Sequence, residues 1–309
     1  MPLVTIDSQY AGLDSVASVY IVKEGSHAVL VETNTTHAVP HILERMESLS
    51  IPKTNLDYVI VTHVHLDHAG GTWAVLEACP HAIVLAHPKT AKHLINPELL
   101  IKSSKKVYGD EIFDSLYGEI RPIPKDRVRV MEDGESLAWM GHNFQFIYTK
   151  GHANHHFCIY DSQLDGIFTG DSFGISYPHL ENGKRFIFPT TTPTDFDPDE
   201  AILSLQKILN TGAKSAYLTH FGEIQNLNKY AEDLKIGIEH CRSILQGLVF
   251  VPRSERLVYT ESKVKDMIQT LATRNSVDLT PKDWKLLNLD VGLNAQGLVY
   301  AFEKTLPKS

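Results

Sequence analysis

In the first two thirds of the chain, short apolar, β-branched runs alternate with segments whose apolar positions recur at helical spacing. Residues 18–22 and 28–32 predict two strands joined by a turn at Glu24-Gly25-Ser26. Residues 41–50 put Ile42, Leu43, Met46 and Leu49 on one side of a helix, and Pro52 marks its end. Residues 56–62 predict a buried strand, 72–79 a helix and 82–86 another strand. This alternation predicts a layered α/β fold.

Between residues 88 and 124 the pattern turns helical, with Tyr108, Phe113 and Tyr117 as large aromatics, and predicts a helical insertion. Strands resume at 144–148, 157–160, 166–169 and 215–219, the last of the core. Residues 174–198 predict a long loop rich in Pro, Thr and aromatics, a kind often functional when a scaffold holds it. Pro198 with its acidic neighbours opens a helix. Helical spacing dominates from 226 to 302, clearest at 229–246 and 261–273. The expected organisation is a catalytic unit at 1–225 carrying the insertion, and a helical extension at 226–309 that packs on it or forms a dimer surface.

Composition narrows the function. The chain has 309 residues, 43% hydrophobic and 21% charged, which excludes disorder and a coiled coil. A formal charge of −8 disfavours a nucleic-acid partner. No apolar run approaches the ~20 residues that span a bilayer, and the N-terminal residues show no leader pattern. Cys79, Cys158 and Cys241 are widely spaced, which suits a reducing compartment. A cytoplasmic protein acting on a small molecule is the expectation. The number that changes the picture is 16 histidines.

Four metal-ligand types, His63, His65, Asp67 and His68, fall within six residues directly after the 56–62 strand, with Gly70-Gly71 behind them. Imidazole with carboxylate suits zinc or iron. His152, Asp171 and His220 each follow another apolar strand, usually by way of Thr or Gly. Strand ends on one rim are where α/β proteins build sites. Seven such residues imply two divalent ions, zinc first, with iron or manganese as alternatives. A pair held ~3.5–4 Å apart needs a bridging group, and Asp171 is the natural bridge. His27, His37, His41, His81, His87, His93, His142 and His240 stand singly and read as packing or surface residues.

The series His63-x-His65-x-Asp67-His68, then His152, Asp171 and His220, resembles the metallo-β-lactamase superfamily over about residues 15–222. It is closest to the dinuclear hydrolase branch of glyoxalase II, lactonases and thioesterases. The resemblance implies an αββα sandwich with metals at one edge. By position, His63, His65 and His152 would hold one ion, Asp67, His68 and His220 the other, and Asp171 would bridge. His68 stands where the β-lactam-cleaving branch commonly has Cys, and His65 where the flavodiiron branch has Glu. Glu32-Thr33-Asn34 departs from the family's usual Asp-Thr-Gly turn.

The expected reaction is cleavage of an ester, thioester or lactone by water that two cations bring to a pKa of roughly 7, with Asp67 also orienting that water. Tyr108, Tyr117, Tyr177, His179 and Phe188 are expected to line the substrate surface, with Lys184 and Arg185 beside an anionic group. His156 or Tyr177 is offered as a proton donor. Three alternatives remain: a di-iron oxidoreductase, a serine hydrolase built on Gly170-Asp171-Ser172-Phe173-Gly174, which matches a nucleophile elbow, and a non-catalytic binding or regulatory module with structural metals.

Overall fold

The strands form because their alternate residues enter two different cores, a period-two pattern only extended chain provides. In the computed structural model, which describes residues 2–178, 180, 183–191 and 196–306 (the side chains of 107 and 108 excepted), Val19 and Ile21 face outward beneath helices while Tyr20 and Val22 face the opposite sheet. His179, Thr192, Pro193 and the side chain of Tyr108 lie outside the described residues.

The chain runs β1 (Leu3–Asp7), β2 (Ser18–Glu24), β3 (His27–Val31), α1 (Val39–Ser48), β4 (Leu56–Val61), α2 (Leu66–Ala69), α3 (Thr72–Ala78) and β5 (Ile83–Ala86). There follow α4 (Pro88–Ile95), α5 (Glu98–Tyr108), α6 (Asp110–Tyr117) and β6 (Val128–Val130). The second sheet takes β7 (Ser136–Trp139), β8 (His142–Tyr148), β9 (Phe157–Asp161), β10 (Gly166–Gly170), β11 (Ser215–Leu218) and β12 (Gly222–Gln225), with α7 (Pro198–Asn210) between β10 and β11. Three helices end the chain: α8 (Leu227–Gly247), α9 (Arg256–Arg274) and α10 (Pro281–Thr305).

One sheet is ordered β1-β2-β3-β4-β5-β6 and the other β12-β11-β10-β9-β8-β7. Between them lie Tyr20, Val29, Val31, Ile60 and Leu85 from the first, and Phe144, Phe146, Phe157 and Phe168 from the second. Outside the first sheet, Ile42 and Met46 of α1, Val75 of α3 and Leu94 of α4 cover Val59 and Val61. Outside the second, Leu205 and Ile208 of α7 share one core with Leu234 and Ile238 of α8, Met267 and Leu271 of α9, and Leu287 and Val291 of α10. The architecture is the four-layer α/β sandwich expected, and the C-terminal helices are built into its outer layer.

Four strands lie beyond those expected. β1, β6, β7 and β12 are all edge strands. Their residues alternate with exposed or half-exposed positions, so none makes a continuous apolar run. α10 falls largely in the stretch expected to be helical, 226–302, which gives it no bounds of its own, although Thr280 and Asp283 form a reciprocal capping box at its start and Pro281 occupies its first turn.

Candidate metal centre

Each expected ligand sits just past a strand end on one rim. His63, His65, Asp67 and His68 follow β4, His152 follows β8, Asp171 follows β10 and His220 follows β11. Glycine lets two of these turns close. Gly170 has φ +48°, and a Cβ there would lie 2.5 Å from His156 Nε2 and 2.6 Å from Thr62 Oγ1. Gly151 has φ +112° and lies flat against the Ala201 backbone at the start of α7.

The side chains gather in two groups. His63 Nε2 and His152 Nε2 lie 2.8 and 3.0 Å from His65 Nδ1. His152 Nε2 is 3.3 Å from Asp171 Oδ2. In the second group, Asp67 Oδ2 is 3.4 Å from His220 Nε2 and 3.9 Å from His68 Nε2. Asp171 Oδ1 lies 3.3 Å from His68 Nε2 and 3.8 Å from His220 Nε2. One Asp171 oxygen therefore faces each group.

Outer contacts fix which nitrogen points inward. His152 Nδ1 and His220 Nδ1 lie 3.3 and 3.0 Å from the carbonyls of Thr190 and Val16, and donate to them. His63 Nδ1 pairs with Thr62 Oγ1 at 3.0 Å, and His68 Nδ1 with Glu32 Oε1 at 3.0 Å. Glu32, 1% exposed and with φ +66°, also accepts from the Thr62 amide and hydroxyl and from the Thr219 hydroxyl. A left-handed glutamate costs about 1–2 kcal/mol, and these four partners hold it in place. The sequence marked Glu32 as a departure; its role as a buried brace joining β3, β4 and β11 is visible only in three dimensions.

A metal would answer what the protein leaves unanswered. His68 Nε2 and Asp171 Oδ1 are buried without a hydrogen-bond partner, an expensive state for polar atoms. The donor set of imidazoles and carboxylates also fits a divalent cation. His63, His65, His152 and Asp171 offer atoms all within 4.8 Å of one another, as do Asp67, His68 and His220. Burial and neighbouring imidazoles hold His63 and His65 well below the usual histidine range, which keeps their lone pairs available. Against the cost of burial, the carboxylates of Asp171, Glu32 and Asp67 raise His68 well above that range. Likewise His68 and His152 hold Asp171 well below the carboxylate range despite its burial.

The match of residues 12–220 to the family model of the metallo-beta-lactamase superfamily decides the family. The chain belongs to that superfamily. A metallo-beta-lactamase fold-containing protein of Sulfurisphaera tokodaii is 31% identical over 194 residues, 62% of this chain and 67% of that one. Its crystal structure superposes with a TM-score of 0.67 at 24% identity, covering 96% of this chain and 97% of that chain. An atrochrysone carboxyl ACP thioesterase of Aspergillus fumigatus is 27% identical over 241 residues, 77% of this chain and 62% of its own length. A hydroxyacylglutathione hydrolase of Aeromonas hydrophila is 24% identical over 154 residues, 50% of this chain and 45% of its own length. The chain thus spans less than two thirds of these last two relatives.

Other expected residues fall differently within the superfamily fold. Tyr117 and Tyr177 line the cavity before the metal residues. Phe188 does not: at 1% exposure it is packed among Phe186, Ile175 and the C-terminal helices, because the loop folds back on itself through an Ile175–Phe188 bridge. Neither ring nitrogen of His156 is free for proton transfer. Its Nε2 accepts from the Asp171 amide at 3.2 Å, and its Nδ1 lies 2.8 Å from Thr149 Oγ1 and 3.1 Å from Ser172 Oγ. It braces the Asp171 turn. Ser172 opens no helix; a turn at 171–173 leads into the Ile175 bridge, so the elbow geometry is missing. Arg185 donates to the carbonyls of Ser176 and Phe221 at 2.8 and 2.6 Å, and Lys184 to that of Ser276 at 3.0 Å. Both tie the loop to backbone carbonyls, and those of Phe221 and Ser276 lie outside it.

Among the cavity residues that escaped the sequence reading are Tyr10, His93, His155, Asp290 and Asn294. Asp290 had a signal, an acid between core residues Leu287 and Val291 of one helix. Its Oδ1 accepts from the Tyr177 hydroxyl at 3.0 Å. Among the described residues, no helix is long and apolar enough to cross a membrane.

Proposed function

We propose that the chain is a metal-dependent hydrolase that splits an ester, thioester or lactone of a small molecule at a dinuclear centre. The observation that carries this reading is Asp171, whose two oxygens face separate ligand groups. His63, His65, His152 and Asp171 would hold one ion, and Asp67, His68, His220 and Asp171 the other; zinc suits the donor set, with iron or manganese as alternatives. When bound, such a pair supplies water of pKa roughly 7 and polarises a carbonyl oxygen.

The chain's own residues complete the chemistry. Asp67 lines the cavity beside His220, 3.4 Å from its Nε2. It would orient the attacking water and pass its proton on. The water oxygen bonds to the carbonyl carbon, the C–O or C–S bond breaks, and the leaving atom takes up a proton. A thiolate of pKa ~8.5 departs without prior protonation, which favours thioesters at a site where His156 is occupied elsewhere. The names of two relatives, a thioesterase and a hydroxyacylglutathione hydrolase, point the same way. The test is a panel of esters, thioesters and lactones on metal-quantified protein. Turnover lost on chelation and restored by added metal supports the reading; turnover indifferent to metal overturns it.

A further inference from the structure

The cavity before the metal residues has a volume of about 500 Å³, within the range of small-molecule sites. Its walls come from distant parts of the chain. α5 supplies Leu99 and Leu100, α10 supplies Leu289, Asp290 and Leu293, and Tyr117 and Tyr177 add aromatic surface. Leu99 is 73% and Leu289 51% exposed. Both offer apolar surface at the cavity that an occupant would remove from water.

Away from the metal groups, the described lining carries an acid and no strong base. Among the described residues lining this cavity there is no Lys or Arg, while Asp67, Asp171 and Asp290 are all acidic. Two of these belong to the metal groups; Asp290 does not. Burial pushes the Asp290 carboxyl up to about 7, against the opposing hydrogen bond from Tyr177. A second carboxylate brought in beside Asp290, away from the metal groups, would meet the same desolvation with no lysine or arginine to offset it, and repulsion from Asp290 besides.

We propose that this cavity selects an uncharged, largely apolar acyl chain seated between α5 and α10, and that Asp290 is a specificity-determining residue turning away chains that end in a carboxylate. The proposal rests on the hydrolase reading for the bond that is cut, but not for the chemistry of what is bound.

The test uses the full, metal-replete chain at pH 8.5. One arm measures kcat/KM for p-nitrophenyl esters from acetyl to decanoyl and for their ω-carboxylated twins. A second arm measures calorimetric binding of the matching N-methyl amides, which are not hydrolysed. Each added methylene is expected to strengthen both by about two- to fourfold, fourfold being ~0.8 kcal/mol, until the cavity fills. The carboxylated twins should be at least about tenfold poorer. Leu289→Ser should flatten the chain-length slope, and Asp290→Asn should narrow the gap between twins at least about threefold. A flat series in binding, a preference for the charged twins, or a gap untouched by Asp290→Asn overturns the proposal. Amides that bind with the expected slope while no ester is cleaved would sustain it and sink the hydrolase reading. Cleavage without any slope would do the reverse.

Discussion

The two ends of the sandwich carry the same kinds of side chain in opposite conditions. At the rim beyond β4, β8, β10 and β11, five imidazoles and three carboxylates meet, and His68 Nε2 and Asp171 Oδ1 are left without a hydrogen-bond partner. At the far end, where β2 and β9 finish and β3 and β8 begin, a second cluster is closed. His142 Nδ1 lies 2.6 Å from Asp161 Oδ2, and its Nε2 lies 3.3 Å from Glu24 Oε1. The other Asp161 oxygen accepts from the Gln163 amide at 3.0 Å. His27 pairs with Asp57 at 3.0 Å, and Trp139 donates to the same carboxylate at 2.8 Å. Burial does not separate the two ends, since His142 and His63 are both buried. What separates them is whether the polar atoms are satisfied. A closed cluster stabilises the fold, and an open one waits for a ligand.

Substitutions should break the two ends in different currencies. Asp171→Ala removes the group shared by both ligand sets, and should cut kcat/KM by more than the 10–100-fold typical of losing a ligand's supporting partner; elemental analysis should show metal lost with it. Glu32→Gln weakens the brace behind His68, and should lower metal affinity or turnover by about 10–100-fold, measured by competition with a chelator. His142→Ala should leave metal content unchanged and reduce unfolding free energy by about 1–3 kcal/mol in denaturant titration. If it instead emptied the metal site, the contrast between the ends would be lost.

A pH series sharpens the comparison further. Asp290 has a folded pKa raised above its unfolded value, so the native state holds more protons than the unfolded chain between about pH 4 and 7. Its contribution is therefore present at low pH and lost as pH rises through that window. In metal-free protein, Asp290→Asn should gain stability relative to the parent by on the order of 2 kcal/mol from pH 5 to pH 8, read as a shift in denaturation midpoint. A constant difference would remove Asp290 from the list of strained groups.

The open end was legible in sequence because its ligands are the residues that end apolar strands, and because four of them are packed into six positions. The core strands were legible for the same reason of continuous burial. The edge strands were hidden, since half their side chains face water. Phe188 was misplaced because a large aromatic in a loop reads the same whether it lines a cavity or folds back into a core. Glu32 and Asp290 depend on partners 30 or more residues away, Thr62 for one and Tyr177 for the other. No local pattern announces such pairing. The closed cluster was invisible in the same way: His142 and Asp161 are 19 positions apart, and each alone is an ordinary polar residue.

The central claim is that the open end holds a pair of cations through a shared carboxylate. Calorimetric titration of zinc into chelator-stripped protein tests it most directly. The account predicts two ions bound per chain, with Asp171→Asn losing high-affinity binding at both positions. A stripped protein that takes up no ion, or a variant that still binds two as tightly as the parent, would contradict it.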